Sequence, residues 1–203
     1  MIAIVDYGVG NLYSLHRSFE AIGAEVKITA DPFEIKNADR ILLPGVGAFG
    51  DASEKLFSSG LAELLKEEAG KGKPFMGICL GMQMLLEKSF EYGEYTGLGL
   101  IKGEVRPISE VIPKGLKIPH IGWNALNIDG EKSHIFKYVN EGECVYFVHS
   151  FHGAGCENAV IATAEYGVPL TAAVGKDNVW GCQFHPEKSG KVGLNILRAF
   201  VEA

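Results

Sequence analysis

The sequence lacks the features of a membrane or exported protein. No apolar run reaches the roughly 18 residues that indicate a membrane span. The first residues, M-I-A-I-V-D, carry no basic region, and Asp6 stands where the apolar stretch of a signal peptide would continue. We therefore expect a cytoplasmic protein with no cleaved leader and no membrane contact.

Cysteine is also scarce, and none of the four cysteines forms a C-x-x-C pair. Four are few for a disulfide framework in 203 residues, and without a signal peptide reduced thiols are the default. We expect one of them to be chemically special and the others to be small core residues. The four are Cys79, Cys144, Cys156 and Cys182.

Basic residues are outnumbered, with 19 Lys and Arg against 25 Asp and Glu and a net charge of −6. A nucleic-acid binder usually carries a basic face, so this balance argues against such a partner. The sequence offers no convincing metal cluster either, and we expect neither a metal nor a cofactor. Hydrophobic residues make up 47% of the chain, which is typical of a globular domain.

Strands and helices alternate in the first half of the chain, which predicts a largely parallel sheet covered by helices. The second half has turn-separated strands, some of them antiparallel. We predict one α/β domain over residues 1–203, with a mixed, mostly parallel central sheet flanked by helices. Helices are predicted at 11–22, 52–71, from Met82 and at 191–201, and strands at 2–5, 25–29, 41–43, 74–78, 144–148, 160–164, 170–174 and 179–184.

Residues 77–81 carry the pattern G-x-C-x-G where a buried strand meets a helix. This parallels the G-x-S-x-G nucleophile elbow, in which a sharp turn projects the nucleophile into a cleft. The glycines leave room for strand and helix to approach closely, and the helix N-terminus favours a thiolate. Cys79 is therefore the predicted nucleophile; a buried structural cysteine is the alternative.

A base for this cysteine is predicted at His185, because histidine usually fills that role. Pro186 restricts His185 to an extended conformation, in which residues two apart point the same way. The Glu187 carboxylate would then orient the imidazole ring and complete a triad. Five other histidines compete, and a loop histidine without a role is the alternative.

The turn P-G-V-G at residues 44–47 follows a predicted strand. Acyl transfer from an amide builds negative charge on the carbonyl oxygen, which backbone N–H groups can stabilise. We predict an oxyanion hole formed by Val46 or Gly47 together with Leu80, the residue after the nucleophile. An ordinary strand-to-helix turn is the alternative.

Residues 44–47, 77–83 (G-I-C-L-G-M-Q) and 184–187 (F-H-P-E) together resemble the class I, triad-type glutamine amidotransferases. The order and spacing of these segments cover most of the chain. The resemblance implies a flavodoxin-like fold and a glutaminase in which Cys79 forms a glutamyl thioester, His185 shuttles protons and Glu187 orients His185. It also implies that Gln83 helps to hold the substrate, L-glutamine.

Residues 6–11 (D-Y-G-V-G-N), 119–124 (P-H-I-G-W-N) and 146–150 (Y-F-V-H-S) are similar to the amidotransferase subunits of imidazole glycerol phosphate synthase, an enzyme of histidine biosynthesis. This resemblance implies a heterodimer with a (β/α)8-barrel cyclase subunit, which receives the ammonia and whose ligand activates glutamine hydrolysis. It further implies substrate contacts from His149, Ser150 and Phe151. The implied partner interface comprises Asn11, Ser14, Trp123 and Lys188.

One residue departs from that family, since Phe151 stands where a tyrosine is common. Its missing hydroxyl puts a side-chain polar contact in doubt but leaves backbone contacts possible.

Several interpretations stay open on the residues alone. The same triad would suit a cysteine peptidase, a γ-glutamyl hydrolase or an amidotransferase of another pathway, and a non-catalytic binding subunit could keep the fold. Asn11 could be a helix cap, and Trp123 could be a core residue.

Overall fold

The computed structural model describes residues 1–128 and 133–203. Its helices are α1 (Leu12–Ala21), α2 (Pro32–Asn37), α3 (Phe49–Ser58), α4 (Leu61–Gly70), α5 (Leu80–Met84) and α6 (Gly190–Val201). Its strands are β1 (Ile2–Val5), β2 (Val26–Thr29), β3 (Arg40–Leu43), β4 (Phe75–Ile78), β5 (Lys88–Ser89), β6 (Tyr95–Thr96), β7 (Glu104–Pro107), β8 (His120–Ala125), β9 (Cys144–His149), β10 (Phe151–Ala154), β11 (Val160–Glu165), β12 (Pro169–Lys176) and β13 (Val179–Cys182).

The main sheet has seven strands in the order β11-β12-β13-β4-β3-β1-β2. The five strands from β2 to β13 run parallel, and β12 and β11 continue the sheet antiparallel. Strands β1, β4 and β13 are buried along their whole length, because large apolar clusters cover the sheet on both faces. The predicted mixed, mostly parallel sheet flanked by helices is confirmed.

Two smaller sheets lie outside this frame. Strands β10, β7, β5 and β6 form a four-stranded sheet, and β8 pairs antiparallel with β9. The predicted strand at 144–148 thus pairs with β8 and not with the central sheet. Its alternation of buried and less buried residues is typical of a strand covered on one face.

Helix boundaries differ from the sequence prediction in three places. The helix expected over residues 52–71 is two helices, because Gly60 takes a φ of +76° between them. The helix expected from Met82 begins at Leu80, directly after Cys79. Helix α2 was not predicted, although Asp31 accepts a hydrogen bond from the Phe33 N–H at 2.8 Å and thereby caps it.

None of the helices within the described ranges has both the length and the apolar character needed to cross a bilayer. All four cysteines are free thiols, and Cys156 and Cys182 are buried as expected of core residues. Cys144 is exposed at the start of β9, so its predicted place in the core is wrong.

Three glycines let the chain close tightly around the end of β4. A Cβ added to Gly81 would lie 1.9 Å from the Leu43 carbonyl oxygen, and one added to Gly77 would lie 2.4 Å from the Gly81 oxygen. A Cβ on Gly45 would lie 2.7 Å from the Gly81 nitrogen. The predicted close approach of strand and helix therefore requires glycine at these positions.

We expect Gly81→Ala to lower the free energy of unfolding by about 1–3 kcal/mol or more, because backbone must move to admit the methyl group. Denaturant unfolding monitored by circular dichroism measures this. Gly70→Ala is the matched control, since no atom lies within 4 Å of its added Cβ; we expect it to be neutral or slightly stabilising. Equal stability of the two variants would contradict the packing argument.

Candidate active site

Cys79 occupies the turn between β4 and α5 with φ 54° and ψ −113°. This is a rare conformation for a residue with a side chain, and such strain is concentrated at functional sites. The Cys79 N–H is fixed by a 2.7 Å hydrogen bond to the Cys182 carbonyl of the neighbouring strand β13. The turn therefore has the geometry of a nucleophile elbow.

His185 and Glu187 lie together just beyond β13. Nδ1 of His185 is 2.8 Å from Oε1 of Glu187, and both side chains are almost completely buried. The backbone N–H of His185 donates to the Tyr146 carbonyl at 2.9 Å, which fixes the base against β9. His185 is extended, as predicted, but residues 186–188 form a 3₁₀ turn. The predicted pairing is therefore present, whereas the extended-chain reason given for it is wrong.

The protonation of His185 follows from its surroundings. Burial disfavours the charged ring, but hydrogen bonds to Cys79 and Glu187 and the negative charges of both groups outweigh burial and raise the pKa of His185 to about 9. At neutral pH both ring nitrogens of His185 therefore carry a proton, and the charged ring lies between the Cys79 sulfur and the Glu187 carboxylate. This is the arrangement of an activated cysteine with its base.

Three other residues that line the same cleft have unused backbone N–H groups within the described part of the chain. Val46, Gly47 and Leu80 line one cleft with Cys79, and within residues 1–128 and 133–203 their N–H groups donate to no other residue. Gly47 has a φ of +96°, which glycine adopts without strain. The predicted oxyanion-hole residues therefore share the cleft with Cys79, and their N–H groups have no acceptor among the described residues.

Tyr7 holds the start of this turn. Its buried hydroxyl donates a 2.8 Å hydrogen bond to the Pro44 carbonyl. Burial, and then the negative charge at Cys79, raise the pKa of Tyr7. Tyr7 therefore remains a neutral donor, and the turn keeps its anchor.

The cleft has a volume of about 360 Å³. It brings together the predicted substrate residues Gln83, His149, Ser150 and Phe151 with the predicted triad residues Cys79 and His185. Phe151 packs edge-on against the Tyr92 ring, with centroids 5.9 Å apart.

Sequence reasoning missed Glu91 and Tyr92, which also line the cleft. They lie in an irregular segment after β5 that has no hydrophobic period, so no pattern placed it near Cys79. Glu91 accepts a 2.7 Å hydrogen bond from the Phe49 N–H, and burial raises the pKa of its carboxyl despite that bond. Tyr92 is 89% exposed and has a φ of +53°.

A chain of hydrogen bonds runs behind His149. Nδ1 of His149 is 2.8 Å from the Phe151 carbonyl, which only accepts, so this nitrogen carries the proton. Nε2 of His149 then accepts from Nδ1 of His120 at 3.0 Å, and Nε2 of His120 accepts from the Asn124 amide at 3.2 Å. Burial lowers the pKa of His149 to about 3 and also lowers the pKa of His120. Both histidines are therefore neutral: His149 holds the Phe151 carbonyl, and His120 holds His149.

Two of the predicted interface residues, Trp123 and Lys188, lie around Tyr146 of β9. Trp123 is 58% exposed, so it is not a core residue. Its ring is 6.2 Å from that of Tyr146, and Nζ of Lys188 is 5.9 Å from the Tyr146 ring. The two-stranded β8–β9 sheet thus carries the exposed Trp123, the half-buried Tyr146 and the buried His149 that lines the cleft.

The other two predicted interface residues, Asn11 and Ser14, lie at the start of α1, a helix that contacts residues 186–188. Asn11 makes no side-chain cap, so the helix-cap interpretation is wrong. Ser14 lines a second cavity with Glu187.

The arrangement as a whole suits cleavage of an amide or ester through a covalent acyl-thioester. One cleft holds a strained cysteine, a protonated base whose acidic partner lies behind it, and residues whose N–H groups have no acceptor in the described part of the chain. No group of three or more His, Cys, Asp or Glu side chains in the described part of the chain could hold a metal ion.

Known proteins match the chain along its length. The profile of the family described as glutamine amidotransferase class-I matches residues 3–203. The imidazole glycerol phosphate synthase subunit HisH of Caldanaerobacter subterraneus subsp. tengcongensis is 51% identical over all of this chain and 98% of that protein. The HisH subunits of Methanothermobacter thermautotrophicus and Bacillus subtilis are 50% and 46% identical, each over all of this chain and 98% and 96% of those proteins.

Solved structures share the fold at lower identity. A structure described as a glutamine amidotransferase superimposes with a TM-score of 0.77 at 16% identity, over all of this chain and 98% of that one. The PurLQS structure from Thermotoga maritima gives a TM-score of 0.74 at 21% identity, over 99% and 97% of the two chains. The chain belongs to the class-I glutamine amidotransferase family and, within it, to the imidazole glycerol phosphate synthase subunits HisH.

Proposed function

We propose that residues 1–203 form a single glutamine amidotransferase domain that is the glutaminase subunit of imidazole glycerol phosphate synthase, in histidine biosynthesis. It hydrolyses L-glutamine to glutamate and ammonia and passes the ammonia to a cyclase subunit. The observation that carries this proposal is the strained Cys79 in one cleft with His185, which is paired in turn with the buried Glu187 carboxylate.

The first half of the reaction forms the thioester. The Cys79 thiolate attacks the side-chain amide carbon of glutamine, and the oxygen becomes negative as the carbon turns tetrahedral. N–H groups of Leu80 and of Val46 or Gly47 stabilise that oxyanion. The protonated His185 ring donates its proton to the leaving nitrogen, and ammonia departs as the C–N bond breaks.

The second half releases glutamate. His185, now neutral, removes a proton from water, and the resulting hydroxide attacks the thioester carbonyl. The same N–H groups hold the second oxyanion. The C–S bond breaks, and the thiolate–imidazolium pair is restored. Glu187 orients the ring through both steps.

Recognition of the amino-acid end falls to the other cleft residues. Glutamine carries an α-ammonium group, and the Glu91 carboxylate is the acidic group among the cleft-lining residues. A bound ammonium would favour the ionised form of this partly buried carboxyl and gain a charge-assisted hydrogen bond. Gln83 and the backbone of Ser150 and Phe151 supply further polar contacts to the substrate.

The ammonia needs a receiving enzyme, because free ammonia at neutral pH is mostly protonated and not nucleophilic. The partner is a (β/α)8-barrel cyclase, which uses the ammonia to make imidazole glycerol phosphate and an aminoimidazole carboxamide ribotide. The exposed side chains of Trp123 and Lys188 are suited to contact it, since aromatic anchors dominate many interfaces. Asn11 and Ser14 extend the proposed contact.

Cys79→Ala should abolish glutamine-dependent turnover in the complex with a cyclase, with at least a ~1,000-fold loss of kcat. Glutamate release and formation of imidazole glycerol phosphate measure this. Ammonium salts at alkaline pH should still support cyclisation, because the cyclase is intact. Cys144→Ala, at the exposed cysteine, is the matched control and should keep wild-type activity. Unchanged glutamate release by Cys79→Ala would refute the proposed mechanism.

A titration of His185 tests the proposed ion pair. Histidine-labelled protein followed by NMR should show a His185 midpoint of about 9. Cys79→Ser and Glu187→Gln should each lower it toward the ordinary ~6.5, since each removes a negative partner.

The sign of the stability effect follows from this raised pKa. The contribution of His185 to the free energy of unfolding is fully present below ~6.5 and is lost as pH rises through about 9. A wild-type midpoint at or below 6.5 would argue against the ion pair.

Glu91→Gln should raise the KM for glutamine about 10- to 100-fold with little change in kcat, because it removes a charge that faces the substrate but not the reacting carbon. The variant keeps an acceptor for the Phe49 N–H. Glu94→Gln, in the same segment but outside the cleft-lining set, should leave KM unchanged. Equal KM values for both variants would exclude Glu91 from substrate recognition.

A further inference from the structure

The side chain of Gln183 lies completely buried beside the nucleophile. Its Nε2 is 3.9 Å from the Sγ of Cys79, within the range of a hydrogen bond to sulfur. Its Oε1 is 3.0 Å from the Nε2 of Gln83. One amide group thus contacts both the reacting sulfur and a side chain that lines the substrate cleft.

The orientation of both amides follows from one carbonyl. The Phe151 oxygen can only accept, so the Gln83 atom 3.3 Å from it is the amide nitrogen. Because that nitrogen also donates to Gln183, the Gln183 atom that it contacts is the carbonyl oxygen, Oε1. The remaining atom of the Gln183 amide, the one that faces Cys79, is therefore its NH₂ group.

The same assignment fixes what Gln83 offers to the cleft. Both hydrogens of its amide nitrogen are used, one on Phe151 and one on Gln183. Its Oε1 accepts from no described residue and is not a buried unpaired atom. Because Gln83 lines the cleft, Oε1 is the atom that is free to accept from a bound molecule.

We propose that Gln183 is a positioning residue for glutamine hydrolysis: its N–H group holds the Cys79 sulfur, and its carbonyl fixes the Gln83 amide with the oxygen toward the substrate. This inference rests on the proposed glutaminase function. A donor aimed at sulfur favours the thiolate over the thiol and limits the directions in which the nucleophile can point.

The other groups that act on Cys79 have different roles. His185 bonds to the sulfur and must release its proton during each turnover. Tyr7 interacts with the charge at Cys79, but its hydroxyl is committed to the Pro44 carbonyl. Gln183 cannot titrate, so its N–H group remains on the sulfur while His185 changes its charge.

The test compares Gln183→Met with wild type in the assembled complex with the cyclase. Methionine has a similar length but no N–H donor. Alkylation of Cys79 by iodoacetamide, measured by peptide mass spectrometry on the acid side of its pH profile where only part of the sulfur is thiolate, should slow about 3- to 10-fold. In glutamine turnover we expect kcat to fall by a similar factor and KM to rise, because Gln83 also loses a partner.

Gln83→Met is the matched variant. It should raise the KM for glutamine but leave the alkylation rate near wild type. Even without Gln83, the negative sulfur attracts the Gln183 NH₂ group and repels the Gln183 carbonyl, so the donor stays on Cys79. A residue that merely filled space would behave differently, because loosened packing exposes Cys79 and speeds alkylation. An unchanged or faster rate in Gln183→Met overturns the proposal.

Two further readouts separate the possible failures. Should Gln183→Met not fold, the side-chain NH₂ resonances of Gln183 in otherwise native protein should shift on Cys79→Ala; unmoved resonances overturn the proposal. Wild-type complex that releases no glutamate from glutamine would refute the glutaminase function instead. An active wild type with equal alkylation in Gln183→Met refutes only the role of Gln183.

Discussion

The close contact of three backbone segments at Gly45, Gly77 and Gly81 is the constraint on which the site depends. Because these residues carry no Cβ, the end of β3, the end of β4 and the start of α5 approach within distances that a methyl group would forbid. Cys79 lies inside this contact and is forced to a positive φ. The sulfur consequently projects into the cleft that Val46, Gly47 and Leu80 also line, and no residue among 1–128 and 133–203 accepts from their N–H groups.

The Phe151 carbonyl determines how the polar side chains around the cleft are oriented. It accepts from His149 and from Gln83, and these two bonds determine the proton positions of two histidines and the orientation of two amides. Since burial lowers the pKa values of His120 and His149, their tautomers persist across neutral pH. His185 differs because two negative partners raise its pKa instead. At neutral pH the neighbouring histidines therefore differ in charge: His120 and His149 are neutral, and His185 is protonated.

The sequence was sufficient to predict the elements with strong local signals. Buried apolar runs gave the parallel strands, and the glycine-flanked Cys79 and the His185-Pro186-Glu187 segment were brought together as expected. The break at Gly60 was missed because the apolar period continues through it. Glu91 and Tyr92 could not be placed, since an irregular segment reaches the cleft only through long-range contacts such as the Glu91 bond to Phe49. Exposure of Cys144 was equally hidden, because it depends on which sheet β9 joins.

The two faces of the β8–β9 sheet carry different kinds of side chain. Trp123 is exposed on it, whereas His149 faces the cleft. Both belong to one hydrogen-bonded pair of strands, so a displacement of that pair moves Trp123 and His149 together. Thermodynamic linkage then applies: whatever free energy a protein bound at Trp123 adds to glutamine binding, glutamine must add to the binding of that protein. The affinity of this chain for its partner would therefore report the state of its own cleft.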